Sequence, residues 1–237
     1  MGQTVFITGT GRKEALGFNL VLRYLEQGDT VIATVRKPSE ALEQLQAQYP
    51  GTLHVLTMDI SSTASVEQAA NAAGRLVSSI DLLINNAVTV SPDYSKEFMD
   101  ANLDYIAGVV DVDAVGPLRV TKALLPLLEK SSAALVVNIS SESGSIGACY
   151  RTNTFDYSMA KAALNMGTML LRNAFKEKPN LNIICIHPGW MRTNEGNALA
   201  PLIPYDHART LQLLFESRRT DKTGDVFITY EGVPYPW

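Results

Sequence analysis

Short runs of β-branched and apolar residues alternate with longer amphipathic stretches along almost the whole chain, and this alternation constrains the fold more than any other feature. The runs that predict strands lie at 4–9, 30–35, 53–60, 81–87, 134–140 and 182–189, with a seventh after 225. The stretches that predict helices lie at 15–27, 38–48, 63–78, 100–129, 155–177 and 204–218. The strand segments lack a clean alternation of apolar and polar residues, as expected when helices cover both faces of a parallel sheet. The sequence therefore predicts an α/β fold with one doubly wound parallel sheet of about seven strands.

This alternation continues through all 237 residues without an internal repeat, so we expect a single domain over 1–237. The formal net charge is −4 and the basic residues are scattered, which argues against nucleic acid or an anionic membrane as a partner. No apolar segment reaches the ~20 residues of a membrane span. The N-terminal residues lack the pattern of a secretory signal. We therefore expect a cytoplasmic protein.

The cysteines and histidines show no metal-site pattern. Cys149 and Cys185 fit no ligand spacing, and free thiols in a reducing compartment are the expectation. His54, His187 and His207 are far apart in the sequence and share no ligand spacing, so no metal site is predicted.

The first loop, "TGTGRKEALG" at 8–17, joins a predicted strand to a predicted helix. At such a junction backbone amides and the helix dipole can hold a pyrophosphate, provided that glycines let the backbone come close. Gly9, Gly11 and Gly17 are present, while Lys13 and Glu14 lengthen the loop by two residues. The loop alone leaves two alternatives open, a Rossmann-like nucleotide site and an ordinary tight turn.

The end of the second predicted strand carries basic residues. A site for unphosphorylated NAD usually has an acidic residue here. This chain has Arg36 and Lys37 instead, and Arg12 of the first loop can approach the same place. Basic residues with no carboxylate among them favour binding of a 2′-phosphate and hence of NADP(H). The alternative is that these basic side chains are solvated residues on the surface.

The segment "YSMAK" at 157–161 lies in a predicted helix. Tyr157 and Lys161 are four residues apart, so their side chains project from the same face. A nearby ammonium group lowers the pKa of a phenol and makes the tyrosine a usable acid or base. The spacing by itself is also common on exposed helices.

Six motifs taken together resemble the short-chain dehydrogenase/reductase family, and they occur in family order over nearly the whole chain. They are "TG" with its loop at 8–17, "MDIS" at 58–61, "NNA" at 85–87, "NISS" at 138–141, "YSMAK" at 157–161 and "HPGWMRT" at 187–193. "TVIATVRKP", "HPGW" and "TYEGVPYPW" resemble the carbonyl-reductase-like subgroup that includes the sniffer and C-factor proteins. The resemblance implies a Rossmann-like fold and hydride transfer between NADP(H) and an aldehyde, ketone or alcohol.

The resemblance also implies roles for individual residues. Tyr157 would give a proton to the substrate carbonyl oxygen, Ser141 would donate a hydrogen bond to it, and Lys161 would bind the nicotinamide ribose and depress the pKa of Tyr157. The remaining cofactor contacts implied are Asp59 and Ile60 at the adenine, Asn86 and Ala87 at the ribose, and Pro188, Gly189 and Thr193 at the carboxamide. The residues between Ser141 and Tyr157 are expected at the substrate rim, and the irregular region near 190–208 is expected to be a substrate loop.

Three departures from the family pattern bear on activity. Asp113 stands where the family has an asparagine on the fourth helix, and its charge is expected to pair with Lys161. Val88 replaces a glycine after "NNA", and the first loop is longer. Because Ser141, Tyr157 and Lys161 are all present, an active enzyme is the primary hypothesis. A non-catalytic NADP-binding sensor or partner protein is the alternative, and the oligomeric state (monomer, homodimer or homotetramer) stays open.

Overall fold

A seven-stranded parallel sheet forms the centre of the computed structural model, which describes residues 2–193 and 198–237. The strand order is β3-β2-β1-β4-β5-β6-β7. The strands are β1 Thr4–Thr8, β2 Thr30–Val35, β3 Leu53–Thr57, β4 Leu82–Asn85, β5 Ala134–Ile139, β6 Leu181–His187 and β7 Phe227–Thr229. The predicted α/β class and strand number are confirmed.

The α-helices run between these strands and pack on both faces of the sheet. They are α1 Leu16–Glu26, α2 Glu40–Gln48, α3 Thr63–Leu76, α4 Tyr105–Val110, α5 Gly116–Leu128, α6 Phe155–Ala174 and α7 Pro204–Thr220. Ser39 and Ser62 cap α2 and α3, since each hydroxyl accepts a hydrogen bond from a backbone N–H in the first turn. Gly28 follows the end of α1 with a φ of +84°, a conformation that glycine adopts without strain.

Successive side chains of each strand enter two separate apolar layers. Val5 and Ile7 pack with the buried residues of α1, α2 and α7. Phe6, between them, packs on the opposite face with those of α3 and α5. Burial on both faces explains why the strands show no polar alternation in the sequence.

One predicted helix differs from the structure. The segment 100–129 was expected to be continuous, whereas the structure has α4, a π-helical turn at Asp111–Val115, and α5. A π-helical turn inserts one extra residue into the helical repeat, and such turns are frequent at functional sites. Hydrophobic periodicity does not resolve a single inserted residue, so the sequence did not indicate it. Among the described residues, none of the helices is long and apolar enough to cross a membrane.

Candidate active site

A cleft of about 1050 Å³ opens at the carboxyl ends of the strands. The strand order reverses between β1 and β4, so the crossover connections diverge to opposite faces there. That divergence leaves a crevice at the sheet edge, which is where ligands bind in open α/β sheets.

The first loop lines one wall of the cleft. Gly9 has a φ of +72°, and a Cβ there would lie 2.5 Å from the Cα of Ala87, so only glycine fits. The N-cap position of α1 is Ala15, which has no side-chain acceptor, so its side chain satisfies none of the first amides of the helix. Lys13 and Glu14 are exposed. The two extra residues therefore lengthen the loop without filling the cleft.

Asn86 ties the end of β4 to this loop. Its side-chain amide donates to the carbonyl oxygens of Thr8 (2.8 Å) and Gly9 (3.1 Å). The Thr8 hydroxyl in turn accepts from the backbone N–H groups of Asn86 (3.0 Å) and Ala87 (2.9 Å). The loop is thereby held in one conformation by four hydrogen bonds from two strand ends.

Cations line the far end of the cleft. Arg12, Arg36 and Lys37 all line it and are exposed to solvent. Asp59 also lies here, and its pKa is lowered mainly by hydrogen bonds from Ser61, with a smaller contribution from the Arg36 charge. This end of the cleft suits an anionic group such as a 2′-phosphate.

The cleft brings together nearly all of the site residues predicted from the sequence. Those that line it are Gly9, Gly11, Arg12, Arg36, Asp59, Ile60, Asn86, Ala87, Ser141, Tyr157, Lys161, Pro188, Gly189 and Thr193. Gly17 and Asp113 do not line it. Gly17 is a packing position, since a Cβ there would lie 2.7 Å from the Gly9 carbonyl oxygen and would also collide with the Asn86 amide. Asp113 is fully buried behind Lys161.

Tyr157 and Lys161 project from the first turns of α6 towards the end of β5. The ammonium nitrogen of Lys161 donates to the Ile139 carbonyl oxygen (3.1 Å) and lies 5.4 Å from the centre of the Tyr157 ring. On its other side, the Tyr157 ring meets the Tyr94 ring edge-on at 5.7 Å. Both α6 side chains are therefore fixed by packing before any ligand binds.

Asp113 and Lys161 form a buried ion pair at 3.5 Å. The π-helical turn aims the Asp113 carboxylate inward, and its other oxygen accepts from the Thr89 N–H at 2.8 Å. Burial raises the pKa of Asp113 against the opposing effect of Lys161, and burial lowers the pKa of Lys161 against the opposing effect of Asp113. The aspartate thus offsets part of the Lys161 charge next to Tyr157.

The expectation that Lys161 depresses the pKa of Tyr157 stays a prediction. The pKa of Tyr157 is raised above its ordinary value, chiefly because the hydroxyl is desolvated. A hydrogen bond with Ser141 and the Arg151 charge act in the opposite direction, whereas Asp113 and Glu142 add to the increase. Desolvation is thus the main physical reason that the structure favours a protonated phenol.

Sequence reasoning missed Glu142, which follows Ser141. The Ser141 hydroxyl donates to its carboxylate at 2.7 Å. Arg151 forms an ion pair and hydrogen bond with the same carboxylate. The Nδ1 atom of His187 accepts from the Glu142 N–H at 3.1 Å. No single motif signals this cluster because its members lie on three separate segments.

The turn after β6 closes the site. Gly189 has a φ of +82°, and a Cβ there would lie 2.5 Å from a Leu202 side-chain carbon. The His207 ring nitrogen Nε2 contacts the Pro188 carbonyl oxygen at 2.6 Å, which joins this turn to α7. Trp190 and Thr193 also line the cleft. Within the expected substrate loop at 190–208, residues 194–197 lie outside the described residues.

Comparisons with known proteins agree with this architecture. A family model described as short chain dehydrogenase matches residues 3–201. The chain is 31% identical over 258 residues to the short chain dehydrogenase gsfK of Penicillium aethiopicum, covering 100% of both chains. It is 32% identical over 158 residues to C-signal of Myxococcus xanthus, covering 67% of this chain and 93% of the relative. A carbonyl reductase from chicken fatty liver, solved with NADPH bound, superposes with a TM-score of 0.89 at 27% identity over 100% of this chain and 99% of that one.

A doubly wound parallel sheet with a glycine loop at its switch point and a tyrosine–lysine pair beside the cleft defines a class of nucleotide-dependent oxidoreductases. The chain belongs to the short chain dehydrogenase family. The resemblance seen in the sequence, including its carbonyl-reductase-like character, is confirmed.

Proposed function

We propose that this protein is an NADP(H)-dependent carbonyl reductase that converts an aldehyde or ketone to the alcohol. The observation that carries the proposal is the layout of one cleft. Arg12 and Arg36 line one end, the glycine loop lines the wall, and Tyr157 with Lys161 stands at the other end.

The cleft fits the cofactor on structural grounds. The glycine cradle has no room for a Cβ at Gly9, and Ala15 leaves the first turn of α1 without a side-chain cap. Arg12, Arg36 and Lys37 would hold the 2′-phosphate, and Lys161 would hold the nicotinamide ribose. NADPH, when bound, supplies a hydride to the carbonyl carbon.

Tyr157 and Lys161 carry out the proton transfer to the substrate. The Tyr157 hydroxyl holds its proton at neutral pH, as an ordinary phenol does, and donates it to the carbonyl oxygen as negative charge develops there. Lys161, held by the Ile139 carbonyl and Asp113, supports the tyrosinate that remains. This arrangement suits reduction, which needs the acid form of the tyrosine.

The test follows NADPH absorbance at 340 nm with a panel of aldehydes, ketones and quinones. Wild type should oxidise NADPH with at least one class of carbonyl, and Tyr157→Phe should not. Equal NADPH consumption by both proteins would contradict the role of Tyr157. Binding of NADPH without turnover in either protein would favour the alternative, a non-catalytic NADP-binding sensor or partner protein.

We further propose that residues 1–237 act as one domain in which the segment near 190–208 is the substrate loop. The contact between His207 and the Pro188 carbonyl supports this, since it couples α7 to the cleft. Trp190→Ala, at the part of this segment that lines the cleft, should change KM for the carbonyl more than KM for NADPH in steady-state kinetics. Equal changes in both constants would contradict a loop dedicated to substrate.

The cellular location and oligomeric state are also proposals. Both cysteines are free, which suits the cytoplasm.

Met159, Met166 and Leu170 are exposed on one face of α6, which suits a homodimer or homotetramer. Light scattering of wild type and Leu170→Glu tests the assembly: a monomer in both would overturn it.

A further inference from the structure

We propose that residues 233–237, called here the return segment, hold the loop at 145–151 in place beside the cleft, and that Trp237 is the positioning residue of this contact. The loop at 145–151, called here the rim loop, lies between Ser141 and α6. For its kinetic consequence, a higher KM for the carbonyl when the contact is lost, the proposal rests on the proposed function. The contact itself involves only residues that touch in the structure.

The return segment doubles back along β7 after a turn at Gly232, whose φ is +81°. The backbone N–H of Thr229 donates to the Val233 carbonyl oxygen at 2.8 Å. The backbone N–H of Tyr235 donates to the Phe227 carbonyl oxygen at 2.9 Å. These two hydrogen bonds fix the start of the return segment against the last strand of the sheet.

Aromatic rings anchor the rest of the return segment. The buried ring of Phe227 lies 5.3 Å from the Tyr235 ring and 5.4 Å from the Trp237 ring, measured between ring centres. The Tyr235 ring also lies 5.6 Å from the ring of His187, which lines the cleft. Aromatic pairs at such distances add to the stabilisation that burial alone supplies. The return segment is therefore attached both to β7 and to the end of β6.

The backbone of Trp237 meets the rim loop at Gly147. The Gly147 N–H donates to the Trp237 carbonyl oxygen at 2.5 Å. A Cβ on Gly147 would lie 2.9 Å from that same oxygen, closer than real Cβ contacts allow. Gly147 does not have a positive φ, so the backbone conformation does not require glycine there. The close approach of the return segment is what requires it.

The rim loop is thereby held at two points. Gly147 is tied to the return segment, and Arg151 forms an ion pair with the Glu142 carboxylate. Tyr150 and Arg151 line the cleft between these points and α6, and 74% of Tyr150 is exposed. Side chains that are ordered before a ligand arrives reduce the entropy lost on binding. Loss of the Gly147 contact should therefore weaken carbonyl binding, whereas the cofactor end is formed by other elements.

Hydrogen–deuterium exchange, followed by mass spectrometry of the peptides that contain residues 145–151, tests the contact without any substrate. Trp237→Ala removes the ring that packs on Phe227, so the Gly147 amide should exchange roughly tenfold faster, as expected for one lost hydrogen bond. Trp237→Phe keeps an aromatic ring at this position and should exchange as wild type does.

Gly147→Ala tests the same contact from the side of the rim loop. Its Cβ should displace the Trp237 carbonyl oxygen and speed exchange of the neighbouring amides in the rim loop. Gly74→Ala is the matched control, since a Cβ there meets nothing within 4 Å. Unchanged exchange in both Trp237→Ala and Gly147→Ala would overturn the inference.

Steady-state reduction of 4-nitrobenzaldehyde by NADPH tests the kinetic consequence. Trp237→Ala should raise KM for the aldehyde by roughly 3–10-fold, the effect of ordering one or two side chains on binding. The KM for NADPH and the unfolding temperature should stay as in wild type, and Trp237→Phe should restore the KM for the aldehyde. Equal increases in both KM values would mean a general structural role and would contradict positioning of the rim loop. If wild type does not reduce the aldehyde, the proposed function fails on this probe, while hydrogen exchange still decides whether Trp237 holds the rim loop.

Discussion

The two ends of the cleft are built on different electrostatic principles. At the cofactor end, glycines, strand-end hydrogen bonds and the exposed cations Arg12 and Arg36 surround the space for an anion. At the catalytic end, the cations Lys161 and Arg151 are each paired with a carboxylate, Asp113 and Glu142 respectively. The cations of the cofactor end are therefore available to a ligand, whereas those of the catalytic end are neutralised by carboxylates of the protein. The difference implies that binding and proton transfer can be altered separately.

Tyr157→Phe should give the largest difference between the effect on catalytic rate and the effect on cofactor binding. Removing the hydroxyl should lower kcat by roughly 10²–10⁴-fold, the usual contribution of a positioned general acid, with little change in NADPH affinity. Stopped-flow reduction and fluorescence titration with NADPH would measure the two quantities. Tyr105→Phe is the matched control, since that side chain is exposed and does not line the cleft. Comparable losses of affinity and rate in Tyr157→Phe would show that the two ends are not independent.

The buried ion pair should dominate the stability of the catalytic end. Asp113→Ala leaves the Lys161 charge buried without its partner, so the free energy of unfolding should fall by about 3–5 kcal/mol. Asp113→Asn keeps an acceptor for the Thr89 N–H and should lose less. Urea denaturation followed by circular dichroism gives both values. Asp111→Ala, two residues away, removes a partly exposed pair with Arg119 and should cost less than about 1 kcal/mol. Similar losses at both positions would argue that Asp113 is not specially coupled to Lys161.

At the cofactor end, Arg36→Asp should affect binding and leave chemistry intact. Loss of a charged hydrogen bond and introduction of a like charge should raise KM for NADPH by roughly 10–100-fold, with a smaller effect on NADH. Steady-state kinetics with both cofactors measures the change. Lys13→Asp makes the same charge change on a loop residue that is exposed and does not line the cleft. An unchanged ratio of the two KM values in Arg36→Asp would mean that Arg36 is a surface cation.

The smallest effect should come from the two histidines near the cleft. Burial is the main cause that lowers the pKa of His187 and of His207 from 6.5. In the folded protein these histidines resist protonation, whereas in the unfolded chain they take up a proton near pH 6.5. Their contribution to stability is therefore complete above pH 6.5 and is lost as the pH falls towards the folded-state pKa values. The free energy of unfolding should therefore decline below about pH 6.5, by at most about 1.4 kcal/mol per pH unit for each histidine. His187→Gln and His207→Gln should each flatten the decline, whereas His54→Gln on β3 serves as the control. A decline of the same slope in every variant would assign it to other groups.

The two ends also differ in how far the sequence predicted them. The glycine loop and the tyrosine–lysine pair are local patterns, and each appears within about ten residues. Such local patterns can be recognised in the sequence because a single backbone turn or the helix repeat brings their residues together in space. The strand and helix positions were predicted for the same reason, apart from the π-helical turn. A single inserted residue changes the direction of Asp113 without changing the periodicity of the helix around it.

By itself the sequence determined the parallel α/β fold, the order of the elements, the glycine loop, and the placement of Tyr157 and Lys161 on one helix face. These features depend on hydrophobic periodicity and on residues close together in the chain. The tertiary structure alone decided the charge balance around the tyrosine. Ser141, Glu142, Arg151 and His187 meet because β5, β6 and the loop before α6 end at the same sheet edge. Electrostatic interactions depend on distances in space and on burial, and neither is encoded in the spacing of residues along the chain.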